Sequence, residues 1–328
     1  MGRVVTLRDT ESRHERNLTR RSDARPWTIL CAVDRSPGSD RALRRAAHLA
    51  RQLNARLCVL HLIDVEKPTP LTPEHSERTE SLLTARLETV SRILGTAPSL
   101  LVRRGDAADA IAAVSEEMDA DLLVLGPQRA RHHVFTADTP ARLLRSAGRP
   151  VLIVNREPKG PYRDLLLAVD LCASSARMLR TVNAFGLLEG TRATVMHAFQ
   201  VPYRGMVAQA GIAETHVERY ALGWNVARFR ELLAYVDAAG VDASQLRILL
   251  EDARPLRAVR RSVHRTRPDL LVLGTRAHTG IRRALLGSLA EDVMREISCD
   301  VLVVPPPVRS SPVGEHADPA HAPAAQIH

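Results

Sequence analysis

Lysine is almost missing from this chain of 328 residues: Lys67 and Lys159 are the only two, so arginine carries the formal net charge of +9. An arginine excess of this kind reflects composition as much as design, and it does not by itself establish an acidic partner. Aromatic residues are scarce as well, at 3%. Proteins that hold RNA or single strands stack bases on Phe, Tyr or Trp, so nucleic acid is not the expected partner. Cysteine occurs four times, at Cys31, Cys58, Cys172 and Cys299, without a C-x-x-C pair. Neither a zinc site nor a redox motif follows, and all four read as small buried hydrophobes.

Long apolar runs are lacking too. Leu165 to Val169 and Val301 to Val304 are far shorter than the ~20 residues that cross a bilayer, so no membrane association is expected. The N-terminus carries Arg3, Arg8, Asp9 and Glu11 where a secretory signal would have an apolar stretch, which makes the cytoplasm the expected compartment. Two catalytic loops are missing: G-x-x-x-x-G-K-[ST] for phosphoryl transfer and G-x-S-x-G for a nucleophilic serine. His132-His133 has no carboxylate pair nearby and reads as solvated rather than as a metal site.

What the sequence does contain is a βα alternation, made twice. Apolar runs at Thr28 to Val33, Leu57 to Ile63, Leu100 to Val102, Leu122 to Leu125 and Val151 to Val154 are separated by helical stretches. The same order returns at Leu165 to Val169, Ala193 to Phe199, Leu246 to Leu250, Leu270 to Leu273 and Val301 to Val304. Strands this apolar are covered on both faces, which predicts two α/β domains, each a five-stranded parallel sheet flanked by helices. The duplication is visible in the letters: "ILCAVDRSPGSDRALRRA" answers "LLLAVDLCASSARMLRTV", "LCVLHLID" answers "ATVMHAFQ", "DADLLVLG" answers "RPDLLVLG", and "RPVLIV" answers "CDVLVV". The expected layout is an N-terminal tail at 1–25, domain 1 at 26–156, domain 2 at 160–306 and a C-terminal tail at 307–328, with both tails disordered. "NREPKGP", from Asn155 to Pro161, is the linker. It is short, and the fifth strands would otherwise be exposed edges, so the two domains are expected to pair through those strands or the adjoining helices.

Ligands of open parallel sheets bind beyond the carboxyl ends of the strands, where strand order reverses. In the second copy that places Asp170 after strand one, Ala198 after His197 in strand two, and the loop "GTRAHTGIRRALLGSLAEDVMRE" after strand four. Gly274 suits a tight strand-to-loop turn. Gly287-Ser288 opens a helix whose free N–H groups suit a phosphate, while Ser288 with Glu291 equally forms a self-sufficient capping box. The residues alone leave both readings open. His61 and His197 stand at matching strand positions and read as core histidines. Arg254, Arg257, Arg261 and Arg265, with Arg260 and His264 beside them, make one basic helix face, read as solvated.

From about Trp27 to Pro305 the chain resembles the universal stress protein family, in particular its tandem members. The resemblance implies Rossmann-like domains of the adenine nucleotide alpha hydrolase-like type. ATP-binding members carry G-x-x-G, nine residues, then G-S or G-T; here Gly274, His278 to Leu286 and Gly287-Ser288 stand at matching places, with Ala277 at the middle glycine. The implied nucleotide set is Asp170, Ala198, Gly274, Arg276, Ala277, Gly287, Ser288 and Leu289, with Asp170 by the ribose and adenine and Ala198 against the adenine. The implied ligand is ATP or AMP, with Mg as an accompanying ion. In the first copy Arg129 answers Ala277. Either Thr139-Pro140 or Ala137-Asp138 answers Gly287-Ser288, so a phosphate is disfavoured there, while Asp138 or Thr139 still caps the helix. The expected protein binds or signals with adenine nucleotide through domain 2 in a stress response, as a tandem or a homodimer. No catalytic residue is assigned. The alternatives are a slow ATP hydrolase and an interaction module with vestigial sites.

Overall fold

The computed structural model describes residues 25–34, 36–63, 73–127, 138–203, 206, 214–275 and 288–306, with backbone alone at 73–82, 214 and 288. Strands β1 (Thr28–Val33), β2 (Arg56–Ile63), β3 (Ser99–Arg104), β4 (Leu122–Leu125) and β5 (Val151–Ile153) alternate with helices α1 (Pro37–Leu53), α2 (Pro73–Leu94), α3 (Ala107–Glu117) and α4 (Thr139–Ser146). The second half repeats them: β6 (Asp164–Val169), β7 (Arg192–Phe199), β8 (Leu246–Asp252), β9 (Leu270–Gly274) and β10 (Asp300–Val304), with α5 (Ala173–Ala184), α6 (Glu214–Ala238), α7 (Pro255–Thr266) and α8 (Ser288–Glu296).

The two five-stranded parallel sheets join into one sheet of ten strands, in the order β3-β2-β1-β4-β5-β10-β9-β6-β7-β8. The seam is antiparallel, pairing Val301 with Ile153, Leu302 with Leu152 and Val303 with Val151. All six are at most 2% exposed, so the pairing both satisfies the strand edges and buries their side chains. The buried residues divide by sheet face rather than by repeat. One cluster joins Ala46, Leu152, Leu179 and Val304, and the other joins Ile111, Leu144, Val151 and Val293. Each core therefore crosses the seam.

Local chemistry sets the helix ends. Ser36 accepts from the Ser39 N–H ahead of Pro37, and Asn54 ends α1 in a left-handed conformation with φ 50°. The buried stripe Ala42, Leu43, Ala46, Ala47, Leu49 and Ala50 fixes that helix on the sheet. In copy one Asp138 is the N-cap of α4 but makes no side-chain cap bond, contrary to the capping expected of it; its carbonyl accepts from Arg142 N–H instead. Cys31, Cys58 and Cys299 are buried, as expected, whereas Cys172 is half-exposed at the start of α5 with its sulfur 2.9 Å from Ser174 Oγ. Burial raises the thiols of Cys58 and Cys299, to about 11 and about 12.

A group of polar residues ties the halves together beside the seam. Asp300 Oδ1 accepts from the N–H groups of Asn155 and Arg156 at 2.9 and 3.0 Å, and its Oδ2 accepts from Tyr162 OH at 2.7 Å. The Arg45 guanidinium stacks 3.9 Å from the centre of the Tyr162 ring and donates to the Gly160 carbonyl at 2.6 Å. The linker is thus packed into the junction.

Candidate functional site

In each half the first strand is flanked by the second and the fourth, so the order reverses between β6 and β9 in the second half and between β1 and β4 in the first. Asp170 follows β6 directly. Val169 pairs with His197 and Ala168 with Leu273, so Asp170 stands abreast of Ala198 on one side and near Gly274 on the other. The fold therefore brings together three residues of the expected set, Asp170, Ala198 and Gly274. Arg276, Ala277 and Gly287 lie outside the described residues, and Ser288 is described only in its backbone, as the first residue of α8. Leu289 is half-buried and packs on the cluster that holds Val293.

Asp170 is positioned by Ser175, a partner that motif matching passed over. Ser175 Oγ donates to Asp170 Oδ1 at 2.6 Å and accepts from Asp170 N–H at 3.1 Å. The intervening turn places Leu171 at φ 57°, a left-handed conformation that costs a residue with a Cβ on the order of 1 kcal/mol. Tyr235 OH of α6 donates to the Cys172 carbonyl at 2.5 Å and holds the turn from outside. The first copy repeats the device: Ser39 Oγ donates to Asp34 Oδ1 at 2.6 Å and accepts from Asp34 N–H at 2.9 Å. A serine five residues after the aspartate in both repeats was the available signal.

The two aspartates differ in access. Asp170 is partly open, whereas Asp34 is 2% exposed. Arg86 closes the first copy: its Nη1 donates to the Asp34 carbonyl at 2.7 Å, and its Nε meets the Asp40 carboxylate at 2.7 Å.

The glycines that end the fourth strands have a structural reason that the sequence did not reveal. A Cβ on Gly126 would sit 2.7 Å from the backbone carbon of Gly38, and one on Gly274 would sit 3.0 Å from the Ser174 carbonyl oxygen. Close approach of strand to helix start, more than the expected tight turn, requires glycine here. In copy two Thr275 N–H continues to the Val304 carbonyl at 3.1 Å, while Pro127 at the matching place has no N–H to give.

The histidines are core residues: His61 is 4% exposed and His197 7%. His197 Nδ1 lies 3.0 Å from the Val169 carbonyl, which can only accept, so Nδ1 carries the proton. The basic face of α7 is exposed at Arg254, Arg257, Arg261 and His264, while Arg260 and Arg265 pair with Glu296 and Glu251 at 2.7 and 2.5 Å. Among the described residues no group of His, Cys, Asp and Glu is placed to hold a metal, and no helix is long and apolar enough to cross a membrane.

Comparison with known proteins agrees with this architecture. The model of the universal stress protein family matches twice, over residues 28–155 and 161–305. A universal stress protein from Thermus aquaticus is 27% identical over 143 residues, which is 44% of this chain and 98% of that protein. The crystal structure of a universal stress protein from Archaeoglobus fulgidus superposes with a TM-score of 0.63 at 18% identity, covering 85% of this chain and 98% of that one. A functionally unknown protein from Pseudomonas aeruginosa gives a TM-score of 0.57 at 21% identity, covering 86% of this chain and 92% of that one. These likenesses carry the fold, and the two successive matches of the family model carry the membership: the chain belongs to the universal stress protein family, as a tandem of two such domains.

Proposed function

We propose that the protein binds an adenine nucleotide, ATP or AMP, in its second domain and acts in a stress response by ligand-dependent population shift rather than by turnover. The observation that carries this reading is the contrast between the two aspartates: Asp170 is reachable from solvent beside Ala198 and Gly274, while Asp34 is sealed under Arg86. The sequence at the start of α8 supports it further, since Gly287 brings no side chain and Ser288 opens the helix, a combination suited to a phosphate. At the corresponding start of α4 stands Asp138, whose carboxylate makes no cap bond but repels an anion there. A nucleotide shifts the protein only by its differential affinity for two states, and the domain or dimer interface is where that shift would act.

Calorimetric titration of ATP and AMP into the full chain tests the reading. One site is expected, abolished by Gly287→Asp and unaffected by Asp34→Asn. Unchanged affinity in Gly287→Asp overturns the assignment. The competing reading, an interaction module without a ligand, draws on the Asp170–Ser175 bond, which engages the carboxylate without any nucleotide. The absence of both co-purified nucleotide and titratable binding would favour it.

A further inference from the structure

The junction between the domains has two sides, and among the described residues only one of them is filled. Counting from the matching starts of α1 and α5, Thr181 takes the place of Arg45, Arg177 that of Arg41, and Ala184 that of His48. Matching "RPVLIV" to "CDVLVV" puts Pro150 in the place of Asp300. On the first side Arg45, Asp300 and Tyr162 fill the junction with a guanidinium, a carboxylate and an aromatic ring. On the second side the shorter Thr181, Ala184 and Pro150 leave a crevice of about 590 Å³, whose lining also includes Trp27, Arg177 and Phe185. That volume falls within the ~300–1,000 Å³ of small-molecule sites.

Its chemistry is specific. Trp27 is held edge-on against Phe185, with ring centres 5.1 Å apart at 79°, and remains partly exposed. Arg177 donates through Nε to the Pro305 carbonyl at 3.0 Å, and among the described residues no carboxylate pairs with it. Burial, with Arg180 alongside, disfavours its positive charge. The other charged groups of the lining are engaged elsewhere: Asp121 with Arg25, and Arg149 with Asp119. Glu116 is exposed at the rim.

We propose that this crevice is a second ligand site, taking a small planar aromatic that bears an anionic group, its ring against Trp27 and its anion on Arg177. The ligand supplies what the first side builds from protein, an aromatic ring and an anionic oxygen beside a guanidinium. The site is separate from the proposed nucleotide cleft at Asp170.

The chain has two tryptophans, so Trp224→Phe leaves Trp27 as the sole tryptophan emitter. In that full-length protein, 4-nitrobenzoate is expected to quench Trp27 emission saturably. Arg177→Gln should weaken this about tenfold, the loss of one charge-assisted bond, while the weaker binding of neutral 4-nitrobenzyl alcohol stays unchanged. Ala112→Phe, which adds a ring to the crevice lining and leaves residue 177 an arginine, should block both probes. Excess AMP should displace neither. No saturable quenching in the parent, equal benzoate affinity in Arg177→Gln, or displacement by AMP overturns the proposal, the last leaving the nucleotide assignment intact.

Discussion

Arg45 and Asp300 approach to 3.4 Å across the domain junction, the one on α1 and the other at the head of β10, with side chains 6% and 1% exposed. Each half contributes one charge, and neither could be buried alone. The pair thus ties the folding of the two domains to each other, beside the strand pairing.

Removing one member should be costly. Asp300→Ala leaves the Arg45 guanidinium buried with only the Gly160 carbonyl and the Tyr162 ring, and it also orphans the N–H groups of Asn155 and Arg156. A loss of about 3–5 kcal/mol is expected, read as a lower urea midpoint, with the single transition splitting in two as the domains uncouple. A midpoint shift below about 1 kcal/mol would contradict this account.

The acid limb of stability should depend on His48. Its Nδ1 is buried without a hydrogen-bond partner among the described residues; burial, then Arg45 and Arg51, push its basicity below the ordinary value of 6.5. The folded state then binds fewer protons than the unfolded one. Stability is full above pH ~6.5 and declines as pH falls toward the depressed folded value. His48→Gln should flatten denaturation midpoints between pH 7 and 5 relative to the parent. An unchanged slope would dismiss the role.

The two strand-end glycines should respond unequally to alanine. At Gly126 the added Cβ meets backbone at 2.7 Å, so Gly126→Ala should cost about 1–3 kcal/mol; at Gly274 the closest approach is 3.0 Å, and the cost should be smaller. Thermal unfolding of both variants gives the order directly, and the reverse order would refute the packing explanation.

A separate expectation for the nucleotide loop concerns Ala277, which stands at the middle glycine of the G-x-x-G pattern that the resemblance implies. If that position approaches phosphate, Ala277→Gly should tighten ATP binding by up to about fivefold, equivalent to ~1 kcal/mol. Weaker binding in the calorimeter would show that the alanine is accommodated without obstruction.

The duplicated pattern of apolar runs determined the two parallel sheets and their helices, because burial on both faces demands near-continuous apolar strands and a β-α-β order admits few topologies. That Asp170, Ala198 and Gly274 lie close together was legible for the same reason: the ends of strands one, two and four meet wherever the order reverses. Short linker and apolar fifth strands foretold the seam, though not its antiparallel register or the merging of the cores across it. Other features were settled only in three dimensions, since they join residues far apart in the chain. The Arg45–Asp300 pair takes one residue from each half of the chain, Arg86 seals Asp34 from a different helix, and Gly274 is required by the Ser174 carbonyl rather than by its own turn. Sequence periodicity records which residues are buried. Which buried or half-buried charge faces which partner depends on how the two copies dock, and there the described residues break the symmetry of the repeat, filling one side of the junction and lining a crevice on the other.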